Sequence, residues 1–244
     1  MQMFRSRFLF VSALTLLWLS PASAQGLSDI EQLGKSIFFD QGLSINNNQS
    51  CASCHDPAAG WTGPIEAINQ AGAVYEGSIS GSFGNRKPPS AAYATQSPIF
   101  AYHRQGGGLF LGGNFWNGRA TGERLGNPAA DQAQGPFLNP AEQALPDNAC
   151  VVYFVCTAYS ASFESVWGVD ACYINWPADM LVQCETNADN LLLSDDDWNS
   201  GTPTPRTISL SPQRRSLEQA SDHLSYIEQC GLVKVARLSV WHGP

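Results

Sequence analysis

Cys51-Ala52-Ser53-Cys54-His55 places two thiols three residues apart, with an imidazole directly after the second. On one helical turn, thiols at that spacing can add to the two vinyl groups of a haem, and the next imidazole then reaches the iron. Two other chemistries use paired cysteines. A zinc half-site wants a second Cys or His pair nearby, and no other histidine occurs before His103. A thiol–disulfide redox pair is expected in a βαβ setting, whereas here a helical stripe and a polar loop come first. The motif therefore predicts one covalent haem c, tethered by Cys51 and Cys54, with His55 as the iron ligand.

The surrounding elements must present that turn. Ser28 and Glu31 form a capping-box pattern, and Ile30, Leu33, Ile37 and Phe38 follow at helical spacing, so a helix is expected to end by Asp40-Gln41-Gly42. Residues 46–50 read as a polar loop leading into Cys51. From 56 to 114, Asp56-Pro57, Pro88-Pro89 and Gly106-Gly107-Gly108 break any long helix, and 112–140 is again rich in turns. Helical pattern resumes at roughly 141–168, and Leu217, Ala220, Leu224 and Ile227 suggest an amphipathic helix over 216–230. The composition agrees with a loop-heavy chain: 244 residues carry 22 Gly and 15 Pro, and only 14% are charged. So much loop and so little charge need something else to order them, and a large rigid prosthetic group would serve. A net charge of −8 argues against nucleic acid as a partner, because phosphates repel such a surface.

Residues 1–24 read as an export signal. Arg5 and Arg7 form its basic start, Phe8 to Leu19 its apolar run, and Pro21-Ala22-Ser23-Ala24 its cleavage site. The apolar run is too short to span a bilayer, no later segment reads as a membrane span, and cleavage after Ala24 leaves no anchor. In an oxidising compartment unclaimed cysteines tend to pair. Cys150, Cys156, Cys172 and Cys184 would suit two disulfides in any of three connectivities, and Cys230 is left over.

Three ordered blocks then carry a resemblance. Leu33-Gly34-Lys35-Ser36-Ile37-Phe38-Phe39-Asp40 with Leu43-Ser44 and the run from Ser50 to Pro57 is the first. Phe115-Trp116-Asn117-Gly118-Arg119-Ala120 is the second, and Gln132-Ala133-Gln134-Gly135-Pro136 with Glu142 is the third. Over roughly residues 27–170 the chain resembles the N-terminal haem domain of the bacterial di-haem cytochrome c peroxidases, which include the MauG-like proteins. The resemblance implies a mainly α fold, a cytochrome c-like helical haem domain with long irregular loops. In that frame residues 25–200 form the haem domain, and 201–244 are a divergent tail. Carried over by position, Glu142 would be the distal acid–base carboxylate, Gln132 an amide that positions peroxide, and Trp116 the tryptophan lying between the family's two haems. Arg119 would partner a haem propionate. An ordinary alternative for Glu142 is a first-turn helical carboxylate after Pro140, stabilised by the helix dipole.

The implied activity is reduction of hydrogen peroxide in the periplasm, with electrons from a small cytochrome c or a blue-copper protein. A non-enzymatic electron carrier or an inactive haem-binding fragment is the competing reading. The family architecture has a second haem c domain, and this chain has no second C-x-x-C-H. A genuine single-haem relative and a truncated or frame-shifted product both stay open. No histidine lies between His55 and the turn at 85–90 to close the distal face, and His103 reads as a surface residue.

Overall fold

The computed structural model describes residues 26–169 and 171–186. The export segment, the tail from 201 and the expected helix over 216–230 lie outside the described residues. Helix α1 spans Asp29–Phe39. It begins where expected because the Ser28 N–H and hydroxyl both donate to Glu31 Oε2, at 2.8 and 2.6 Å. It stops where Asp40 turns outward and its Oδ1 accepts from the Gly42 N–H at 2.7 Å. One face of α1 buries Leu33, Ile37 and Phe38. Each such side chain contributes roughly 1.5–3 kcal/mol of burial.

The surface that receives Leu33 and Ile37 belongs to α6, Asn148–Trp167. Between them, in chain order, lie α2 (Cys51–Cys54), α3 (Glu66–Gln70), the strands β1 (Ala101–His103) and β2 (Leu109–Leu111), α4 (Pro128–Ala133) and α5 (Gly135–Leu138). A last helix, α7 (Met180–Glu185), follows α6. The main core joins Leu33 and Ile37 of α1 to Val151, Val152, Val155 and Phe163 of α6 and to Met180 of α7. By length and composition alone α6 could cross a membrane, with a mean hydropathy of 1.3. Its valines are instead the centre of this core.

The expected helix over 141–168 starts seven residues late. Pro146 disfavours helical geometry at Leu145, Ala144 adopts a left-handed φ of 59°, and Asp147 then caps α6 by accepting from the Ala149 N–H at 2.7 Å. The stretch from 56 to 114 is largely irregular, as its prolines and glycines imply, but it also holds an antiparallel hairpin pairing Ala101 with Leu111 and His103 with Leu109. The glycine run read as a breaker is its turn. His103 is exposed. The four cysteines pair as Cys150–Cys184 and Cys156–Cys172, a nested arrangement that ties α7 and the segment before it to the first half of α6. Tyr159 interrupts α6 with φ −132° and ψ 20°, and its hydroxyl donates to Asp40 Oδ2 at 2.7 Å, bracing the end of α1.

Candidate functional site

Cys51 and Cys54 occupy one helical turn because the residues before it leave the chain no other course. The buried Ser44 hydroxyl accepts from the N–H groups of Asn48 and Gln49 at 3.1 and 3.0 Å, closing the polar loop. Ser53 Oγ then accepts from the Ser50 N–H at 3.0 Å, and the His55 N–H returns to the Cys51 carbonyl at 2.9 Å. Both thiols are free. Burial pushes the Cys51 thiol up to about 12, with a further push from the charge of Glu142. The same two causes raise Cys54 to about 11, opposed by a hydrogen bond from Gln49.

His55 is oriented by a strained neighbour. Trp61 is a buried non-glycine residue with φ 64°, a backbone region that costs such a residue of order 1–3 kcal/mol. That conformation turns its carbonyl to His55 Nδ1, 3.2 Å away, and the bridge between Asp56 and Thr62 closes the loop. A ring tautomer with hydrogen on Nδ1 can donate to that carbonyl. Burial lowers the pKa of His55, opposed by hydrogen bonds to the Trp61 and Pro89 carbonyls. The Trp61 ring meets Phe38 of α1 edge-on at 5.7 Å, so the turn is locked to the first helix.

This donor set fits a thioether-linked haem. Two protonated thiols lie on one turn, and the imidazole of the next residue lies beside them. Among the described residues no group of three or more His, Cys, Asp and Glu side chains is arranged to hold a metal ion directly, so none of them completes a zinc site around the pair.

A cavity of about 410 Å³ collects the other candidates. Gln132 and Glu142 line it together with Arg119, Arg124, Asn139 and Phe115. Gln132 sits in the last turn of α4, a helix placed by Asn127, whose side chain accepts from the Ala129 N–H at 2.8 Å. Glu142 lies in no helix, so the first-turn alternative does not apply. Its Oε1 accepts from Asn139 Nδ2 at 2.7 Å, and Asn139 in turn accepts from the Ala141 N–H at 3.0 Å. Burial raises the pKa of Glu142, opposed by the Asn139 hydrogen bond and by the charge of Arg119.

The backbone of Glu142 is docked from a distance. Its carbonyl accepts from the Ser78 N–H at 2.7 Å, and Gly77 lies so close that a Cβ there would meet the Ala141 carbonyl carbon at 2.5 Å. The next residue, Gln143, is buried, and its carbonyl accepts from Ile45 while its amide donates to the Leu43 carbonyl at 2.8 Å. Ser78 also binds Asn46 and Asn48 of the loop that feeds the cysteine turn. One polar network thus connects the loop before the cysteine turn to the backbone of Glu142.

Arg119 stacks its guanidinium 3.4 Å from the centre of the Phe115 ring, and Phe115 itself has φ 62°. Trp116 is 91% exposed and does not line this cavity. The structure therefore brings Gln132, Glu142 and Arg119 together and leaves Trp116 outside. Sequence reasoning passed over Trp61, Asn139, Gly77, Ser78 and Arg124. Asn139-Pro140 carried a usable turn signal, whereas nothing local marks Trp61 or Gly77.

A sequence profile described as Di-haem cytochrome c peroxidase matches residues 28–190. The chain is 42% identical over 139 residues to the methylamine utilization protein MauG of Paracoccus denitrificans (strain Pd 1222), covering 56% of this chain and 33% of that protein. It is 30% identical over 159 residues to the cytochrome c551 peroxidase of Nitrosomonas europaea (strain ATCC 19718), covering 65% and 39%. The diheme peroxidase BthA from Burkholderia thailandensis E264 shares the mainly helical fold, with a TM-score of 0.52 at 22% identity over 84% of this chain and 39% of that one. The chain spans between a third and two fifths of the length of these relatives.

Proposed function

Because the chain belongs to the di-haem cytochrome c peroxidase family, we propose that it is a c-type haem oxidoreductase of the periplasm, exported through residues 1–24, that reduces hydrogen peroxide at a single haem. Cys51 and Cys54 hold that haem, and His55 Nε2 is its iron ligand. When bound, the haem supplies an iron that can take up a peroxide oxygen and exchange electrons with a donor. The protein supplies proton movement and orientation.

Glu142 takes a proton from one peroxide oxygen and delivers it to the other, which departs as water. Conversion of one hydrogen peroxide to two waters consumes two protons and two electrons. The electrons come from a small cytochrome c or blue-copper protein, and the exposed Trp116 is where we place their entry. The Gln132 amide donates to peroxide without competing as a strong ligand. Arg119, held on Phe115, would pair with the haem carboxylates when the group is bound, and it tempers the charge of Glu142.

The observation that carries this reading is Glu142 itself. It is a carboxylate raised in pKa by burial, lining a cavity with Gln132, with its charge felt at both tether thiols. A carboxyl group whose pKa is raised by burial is suited to proton transfer to peroxide. Rapid mixing of the ferric protein with peroxide tests it. Glu142→Gln is expected to slow the haem spectral change by about 10²–10⁴-fold, the usual worth of an acid–base group. Equal rates for the two proteins would remove Glu142 from the chemistry. Bleaching alone in the unaltered protein would favour an electron carrier.

A further inference from the structure

Cys51 and Cys54 are held by different forces. Cys51 packs into the apolar cluster of Phe38, Trp61 and Ala92. Cys54 instead takes a hydrogen bond on its sulfur from Gln49 Nε2, at 3.7 Å. Gln49 is 6% exposed, and the same Nε2 donates to the Glu76 carbonyl at 3.0 Å. That carbonyl decides which end of the amide faces the sulfur, since a flipped amide would set two oxygen acceptors against each other. The Gln49 backbone is pinned as well, through its N–H on the buried Ser44 hydroxyl. The other end of the amide, Oε1, is buried without a hydrogen-bond partner. A buried, half-satisfied amide is a cost that an apolar side chain of the same length would avoid, so its retention beside a tether thiol calls for a use.

We propose that Gln49 is a positioning residue for haem attachment, holding the Cys54 sulfur in the orientation from which the second thioether bond forms. The inference rests on reading Cys51–His55 as the attachment motif. In the bond-forming step the Cys54 thiol adds across a vinyl group. The sulfur–carbon bond forms at the carbon next to the ring, the carbon–carbon double bond becomes single, and the thiol hydrogen ends on the terminal carbon. Nothing leaves, and no oxidant or reductant is consumed. The amide N–H engages one sulfur lone pair and leaves another for the new bond. Cys51, held by packing, does not depend on the amide, so loss of Gln49 affects one tether and spares the other.

The test uses the full chain exported by a host with cytochrome c maturation. Gln49→Met keeps the length of the side chain and removes the donor. After denaturation, free thiols are capped with iodoacetamide, and the peptides carrying Cys51 and Cys54 are weighed. In the unaltered protein neither is capped. In Gln49→Met, capping is expected at Cys54 and not at Cys51. Haem still travels with the chain on a denaturing gel, and its pyridine haemochrome band moves to the red as one vinyl group is restored. Two intact thioether bonds in Gln49→Met would overturn the inference, and so would equal capping of both cysteines, which signals general loss of the site. If Gln49→Met is not recovered folded, Gln49→Glu, of the same shape, is read by the same two criteria. An unaltered protein without any covalent haem would instead overturn the attachment reading beneath the inference.

Discussion

The turn bearing Cys51, Cys54 and His55 is fixed mostly by its sequence neighbours, through Ser44, Ser50, Ser53 and the Trp61 carbonyl. The cavity bearing Glu142 is fixed by residues far from it in the chain, Ser78 and Gly77 on one side and Leu43 and Ile45 on the other. On the function proposed above, the contrast follows from what each site must do. A tether needs only the right spacing on one turn, which a short segment can encode. A proton-transfer group must sit at a set place relative to that tether, and only contacts between distant segments can set such a place. The polar network Asn46–Ser78–Glu142 joins the loop before the turn to the segment that bears the cavity carboxylate.

Four experiments break or sharpen this contrast, from the largest expected effect to the smallest. Gly77→Ala forces a methyl group against the backbone of Ala141 and Glu142. We expect haem to stay with the chain through Cys51, seen by haem staining of a denaturing gel, together with a loss in peroxide rate of about 10²-fold, the scale of a displacement near 1 Å. Loss of haem in this variant would mean that the turn is not locally determined. Removing the Cys150–Cys184 bridge, which joins α6 to α7 and touches neither site, should cost about 2–4 kcal/mol in denaturant unfolding. It should leave haem content intact.

The third experiment follows from the raised pKa of Glu142. A carboxyl group whose pKa is higher in the folded state favours folding while protonated, below its unfolded pKa. That contribution is lost as pH rises through the folded pKa. Glu142→Gln is therefore expected to be more stable than the unaltered protein at neutral pH. The gap should close in acid, below the ordinary glutamate range. Unfolding midpoints at both pH values check this, and a gap that widened in acid would reverse the assignment. The smallest effect belongs to Tyr159→Phe, which removes the hydrogen bond to Asp40. It should cost about 1 kcal/mol with no change in either site.

Legibility in the sequence followed the same division. Ser28 and Glu31 announced α1, and the structure begins it there. Cys51 to Cys54 read as one helical turn, and the structure forms that turn as α2. The start of α6 was misjudged because Val151, Val152, Phe154 and Val155 carried the helical pattern, while the local signals that set its boundary, Pro146 and the Asp147 cap, were given too little weight. The hairpin over 101–111 was missed because its glycine turn looked like plain irregularity. Trp61 was invisible, since a left-handed tryptophan follows from packing on Phe38 and from the carbonyl that His55 needs, and no propensity favours it.

What the sequence alone determined is the chemistry available: two thiols and an imidazole at fixed spacing, a capped first helix, and four cysteines able to form two bridges. Those features depend on neighbours a few residues apart, where bond geometry leaves little freedom. The tertiary structure decided which cysteines pair, that Gln132, Glu142 and Arg119 share one cavity while Trp116 does not, and that a strained tryptophan aims the histidine. Each of these depends on where distant segments meet, and that is set by burial of the α1–α6 core and by a few long-range hydrogen bonds rather than by spacing along the chain.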